Sequence, residues 1–192
     1  MQDNIFFDLS RIKKMGKNVI IGKTVRIRYP ELVEIGDNVI IDDFTYISTQ
    51  LKIDSYVHIA SGAKIIGGRD AQVTFGSFST LAPEVVLAAG SDDYIAGIAT
   101  PLVDKKFKGR VEVGDIHIGR HCIVGSGTVI LPNVTLFEGA STGALTLVKK
   151  NLEAWHLYAG IPAKLIKKRN QIEILKLEEQ FKTELMMNLG ES

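Results

Sequence analysis

Cysteine is nearly absent: Cys122 stands alone among 192 residues. A disulfide framework and a cysteine-based zinc site are both excluded. Charge of one sign is lacking too, since 23 lysines and arginines against 22 acids leave a net +1. No basic block lies outside the C-terminal end, which gives nucleic-acid partners little support. No apolar run approaches the length of a membrane span. The opening stretch MQDNIFFDLSRIKKMG is too short and too charged for a signal peptide. The expectation is a soluble cytoplasmic protein, long enough for one domain with a sizeable core.

What the sequence does have is a period of six. In HIGRHCIVGSGTVILPNVTLFEGASTGALTLV, the positions Ile118, Val124, Ile130, Leu136, Thr142 and Val148 keep step without a slip. Four places after each come Cys122, Thr128, Val134, Ala140, Thr146 and Leu152. A helix would repeat near 3.6 and a half-buried strand at 2, so neither explains the pattern. The same step starts at Met15 and Ile21, runs from Ile35 to Ile65, and restarts at Phe75, Leu81 and Leu87. Three breaks interrupt it: two extra residues in RYPELVE, Arg69 where a small residue is wanted, and a long gap over 88–117.

A triangular β-solenoid has this period, with one short strand and one turn per unit and three units per coil. About seventeen units predict five to six coils. The first aliphatic residue of each unit points into the prism. Ile35, Ile41, Ile47, Ile53, Ile59, Val124, Ile130 and Leu136 are therefore expected inside. The position four later lies near a corner and must be small or modest. Gly, Asn, Asp and Ser between them suit turns that need positive φ. The predicted division is a short segment over 1–14, the solenoid over 15–169 and a helix over 170–192. Ile174, Leu177, Phe181 and Leu185 stand at helical spacing there, so the helix is expected to pack on the solenoid or on a partner chain.

From Met15 to Arg169 the chain resembles the hexapeptide-repeat acyltransferases, which are left-handed parallel β-helices, form trimers and use acetyl-CoA. The ending IGRHCIVGSGTVILPNVTL, continued by STGALTLVKK and GIPAKLIKKR, is similar to the sugar and xenobiotic O-acetyltransferase branch. The left hand follows from the resemblance only; the general preference for right-handed crossovers points the other way. The resemblance places acetyl-CoA along the stacked turns, at Ser126, Ala144, Lys149, Lys150, Lys164 and Lys167. Lysines there would neutralise coenzyme phosphates as point charges.

That branch carries a catalytic histidine in the interrupting loop, and here the loop reads AAGSDDYIAGIATP with no histidine. Asp92 and Asp93 stand near the expected place, and a loop this long in a tight solenoid points to function. His121, just after the loop, is the candidate base, with Asp93 the favoured partner to orient it. His58 and His156 read as ordinary polar positions, while His117 also stands at the loop's return. An amine acceptor needs less base assistance than a hydroxyl, and placing it against the thioester supplies much of the catalysis.

The expected activity is thus acetyl-CoA-dependent transfer to a sugar, with a nucleotide-linked amino deoxysugar for surface polysaccharide slightly favoured. A galactoside-type sugar O-acetyltransferase is the alternative. A purely structural solenoid leaves the tail and loop unexplained. A metal enzyme needs three converging histidines, and only His117 and His121 are close in sequence, so no metal is expected.

Overall fold

The computed structural model describes residues 4–190. The chain winds as a left-handed parallel β-helix of about seven turns closed by one C-terminal helix. The extra turn beyond the expected five to six comes at the C-terminal end, where Leu152 and Tyr158 continue the stack after the regular step has ended at Val148.

Three faces stack in parallel. The first holds Lys14–Met15, Val33–Ile35, Ile116–Ile118 and Thr135–Leu136, with the ends of the long strands Tyr46–Ile53 and Lys64–Phe75 between them. The second holds Ile20–Ile21, Ile40–Ile41, His58–Ile59, Thr80–Leu81, Ile123–Val124, Ser141–Thr142 and His156–Ala159. The third holds Arg26–Ile27, the starts of the two long strands, Val86–Ala88, Val129–Ile130 and Leu147–Val148. All eight residues expected inside are buried. The smaller positions four places on, such as Cys122, Thr128 and Ala140, are buried as well, just inside the corners. Burial pushes the Cys122 thiol up to about 12.

Inside such a prism each aliphatic side chain is covered by the coils above and below. Truncation therefore leaves a cavity that the flat, hydrogen-bonded sheets cannot collapse into. Ile65, with no solvent exposure, is central to the stack. Ile65→Ala should lower stability by about 2–5 kcal/mol, read as a shift of the urea midpoint.

The edges obey two different rules. From the first face to the second, and from the second to the third, six residues separate successive inward positions at every coil: Ile35 to Ile41 to Ile47, Phe75 to Leu81 to Leu87, Ile118 to Val124 to Ile130. From the third face back to the first, Ile27 to Ile35 takes eight residues, Ile65 to Phe75 ten, Leu87 to Ile118 thirty-one and Val148 to Leu152 four. All these irregularities in length fall on the third-to-first edge.

On the regular edges, Thr24 apart, the residue three places before an inward position has positive φ. Asn18, Asn38 and Gly62 tolerate this. Tyr56, Phe78, His121 and Trp155 do so against steric preference, on the first-to-second edge. Stacking offsets the cost: Tyr56 lies 5.0 Å from Phe78, Phe78 5.3 Å from His121, and His121 5.9 Å from Trp155. Gly139 makes the last contact possible, because a Cβ there would sit 2.2 Å from the Trp155 ring.

The helix α1 (Gln171–Gly190) folds back along this aromatic ladder. Phe181 meets Tyr56 and Phe78 edge-on, at 5.3 and 6.0 Å. Arg169, just before α1, donates to the carbonyls of His121 and Gly139, both at 2.7 Å. The docking face differs from the one expected. Leu177 turns outward and Glu178 is buried in its stead. The reason is the polar ledge beneath: Glu178 accepts from His121 Nε2 at 2.7 Å and pairs with the Arg120 guanidinium.

Candidate active site

The outward residues of the third face change character along the prism. In register they run Arg26, Tyr46, Lys64, Val86, Val129 and Leu147. The upper three form a half-buried apolar strip. Ser126 and Ala144 flank it on the second-to-third edge, and Lys149 and Lys150 on the third-to-first edge. The tail closes its top, because the Leu147 N–H donates to Gly160 O at 3.0 Å and the Ala163 N–H to Leu147 O at 2.8 Å. Lys149, Lys150, Tyr158, Pro162 and Ala163 share a cavity of about 280 Å³ there.

Four of the six predicted coenzyme residues therefore bracket one strip, and Lys164 lies at its upper end. Lys167 does not join them: its strand, Lys164–Lys168, runs antiparallel to His156–Ala159 and sets Lys167 opposite Leu157 on the second face. Among the described residues none of these four lysines makes an ion pair. Their charge is thus available to an anion.

The interrupting loop leaves from the third-to-first edge, beside the strip. Its neck is an antiparallel pair, Gly90–Ser91 with Glu112–Val113. Asn133, on the same edge one coil up, ties the neck by donating to Glu112 at 3.1 Å. The two aspartates have distinct tasks. Asp93 accepts from the backbone N–H groups of Arg110, Ile95 and Ala96 at 2.9, 2.9 and 3.1 Å. The Arg110 N–H above all holds its carboxyl below the usual range. Asp93 fastens the loop from inside. Asp92 keeps an open carboxylate, 3.4 Å from Lys108 Nζ and 40% exposed. Spacing alone could not tell the two apart.

His121, the candidate base, sits apart from the loop. The residue lies on the first-to-second edge, not the edge that carries the loop. It is only 8% exposed, capped by α1 and held by Glu178. Burial, then the Arg120 charge, keeps its pKa below the ordinary value. No hydrogen bond or ion pair among the described residues joins it to Asp92 or Asp93. The other histidines are also engaged. His58 pairs with Asp42 and His117 Nδ1 with the Thr74 hydroxyl, both at 2.8 Å, and His156 Nδ1 donates to Ala154 O at 2.7 Å. No cluster of three potential metal ligands occurs among the described residues.

No family model matches the chain. The dTDP-4-amino-4,6-dideoxy-D-glucose acyltransferase of Escherichia coli is 36% identical over 175 residues, 88% of each chain. A putative colanic acid biosynthesis acetyltransferase, WcaF, from the same species is 27% identical and covers 83% of this chain and 71% of that one. Among solved structures, a mutant of the Bacillus cereus N-acyltransferase AntD, in complex with dTDP-4-amino-4,6-dideoxyglucose and coenzyme A, superimposes with a TM-score of 0.87. It is 32% identical and covers 95% of this chain and all (100%) of that one. AntD with dTDP and 3-hydroxybutyryl-CoA gives 0.86 at 32% identity, covering 95% and 98%.

Proposed function

From the premise that this chain belongs to the hexapeptide-repeat acyltransferases, we propose that it moves an acyl group from coenzyme A to the amino group of a nucleotide-linked deoxysugar. One observation carries the choice of acceptor. The loop presents an open carboxylate, Asp92, where the O-acetyltransferase pattern has a histidine. A carboxylate is a poor base for a sugar hydroxyl, but a good hydrogen-bond acceptor for an amine. The similarity to enzymes of dTDP-amino sugars points the same way.

In this reading the pantetheine arm lies along Val86, Val129 and Leu147, with Lys149, Lys150 and Lys164 at the phosphates. The thioester then meets the loop. The neutral amine attacks the thioester carbonyl, the C–N bond forms and the C–S bond breaks. The nitrogen loses a proton, which Asp92 receives or relays to the departing sulfur. Holding the amine against the carbonyl supplies most of the rate, since effective molarities of about 10⁵–10⁸ M are reached by well-oriented pairs. The enzyme acts as a homotrimer: Tyr94, Ile95 and Leu102 at the loop tip are 88%, 94% and 92% exposed, which suits burial against a neighbouring copy. It works in the cytoplasm, where acyl-CoA and nucleotide sugars are made, and serves surface polysaccharide synthesis.

Thiol release tests the proposal directly. The enzyme should liberate coenzyme A from acetyl- or 3-hydroxybutyryl-CoA with dTDP-4-amino-4,6-dideoxyglucose. Cys122 will not add to the signal, being buried with its thiol pushed up to about 12. Release with simple galactosides and none with amino sugars would overturn the reading. Lys150→Ala and Lys164→Ala should raise KM for the acyl-CoA several-fold at nearly constant kcat, as expected for charges that bind ground and transition states alike.

A further inference from the structure

The third-to-first edge continues below the loop, where neither the coenzyme strip nor the loop chemistry uses it. Two arginines from different coils converge there on one ring. Arg69 Cζ lies 4.4 Å from the Tyr29 centroid and Arg28 Cζ 5.5 Å from it. Glu31 accepts from Arg69 Nη2 at 2.7 Å, across two coils. Between them, Gln50 Nε2 donates to Arg69 O at 2.7 Å and steadies the turn that carries the arginine. Arg28 is exposed and has no carboxylate partner among the described residues.

The geometry points to this pair as a clamp for the diphosphate of the nucleotide-linked acceptor, an inference that rests on the function proposed above. Guanidinium groups match phosphate oxygens with parallel N–H donors, and a ring against each group fixes its plane. An ion pair as exposed as Arg69–Glu31 is weak in water and yields readily to a doubly charged ligand. Position decides between the two diphosphates of the reaction. The coenzyme lysines stand above the loop, and the arginines stand below it. Gly67, two residues before Arg69, packs beneath Ala89 at the loop base, where an added Cβ would come within 2.8 Å of the Ala89 Cβ. Three coils at about 4.8 Å each separate the level of Tyr29 from the loop, about the reach of a sugar and its diphosphate. The two extra residues of RYPELVE and the four of the Ile65-to-Phe75 segment build this feature. A solenoid closed by six-residue units would have no room for it.

The test separates the clamp from the activity it serves. Binding of dTDP, thymidine and inorganic pyrophosphate is measured by calorimetry on the wild type, Arg28→Ala, Arg69→Ala and Arg69→Lys, alongside KM for both substrates. The expected result is dTDP binding far above thymidine, competed by pyrophosphate and weakened about tenfold or more in each alanine variant. Arg69→Lys should recover only part of the loss, because the fork is gone. KM for the nucleotide sugar should rise in parallel, with KM for acyl-CoA unchanged. Turnover with unaltered dTDP binding and acceptor KM in both alanine variants would overturn the clamp and leave the activity standing. A rise confined to KM for acyl-CoA would assign the arginines to the coenzyme and equally overturn it. Absence of turnover with any nucleotide amino sugar would fail the activity itself, whatever the variants bind.

Discussion

Asp92→Asn should lower kcat/KM for a nucleotide-linked amino sugar by about 10²-fold, or about 2.7 kcal/mol of transition-state stabilisation. The fold should be unaffected, since Asp92 is 40% exposed and its one ion pair, to Lys108, is long at 3.4 Å. The loss should fall on kcat more than on KM for acyl-CoA, because the carboxylate meets the amine as it gives up a proton. Asp93→Ala should show a different signature. Three backbone N–H groups would lose their acceptor together, so the loop should become protease-sensitive and both substrates should bind less well. Wild-type kinetics in Asp92→Asn would remove the loop carboxylate from the chemistry and leave positioning as the catalyst.

The largest stability effect outside the aliphatic core should come from His121→Ala. That change removes a ring stacked between Phe78 and Trp155 and a hydrogen bond to the buried Glu178. Truncating a buried aromatic residue costs about 3–5 kcal/mol, which for a chain of this length lowers Tm by about 10 °C. The pH dependence has a definite sign. The folded pKa of His121 lies below its ordinary value of about 6.5. The unfolded chain therefore binds the proton more readily, and stability falls as pH drops below that value. This acid-side loss should shrink in His121→Ala. Turnover of the amino sugar should stay within a few-fold of wild type. A 10²-fold loss of kcat/KM at unchanged Tm would restore the base role to His121.

The solenoid was legible because its signal is repeated: an aliphatic residue every sixth place from Ile35 to Ile65 and from Ile118 to Val148 admits one kind of object. The strip proposed for the coenzyme was half legible. Ser126, Ala144, Lys149 and Lys150 were found through motif resemblance, but only the register shows that they border one face, while Lys167 turns to another. The surroundings of His121 were hidden for a physical reason. Its partners Tyr56, Phe78 and Trp155 share its place in the six-residue unit, yet stand 65 and 43 residues before it and 34 after. Those distances are multiples of nothing until each insertion is assigned to its edge. Glu178 was invisible in the same way: on a helix whose apolar residues suggested a greasy seam, a buried acid becomes sensible only with Arg120 and His121 beneath it. The loop acids were ranked from sequence position alone, Asp93 ahead of Asp92, whereas their surroundings depend on which backbone N–H groups the fold aims at each carboxylate.

The contrast between the edges gives the chain something like a reading frame. Between the first and second faces, and between the second and third, losing one residue would shift the phase of the following unit, turning inward side chains outward just as a slipped strand does. Between the third face and the first, the count is eight, six, ten, thirty-one, six and four in turn, and phase is restored at each return. Length can therefore change at that edge without rewriting the core. Two edges keep the molecule's time; the third is where it can acquire new words.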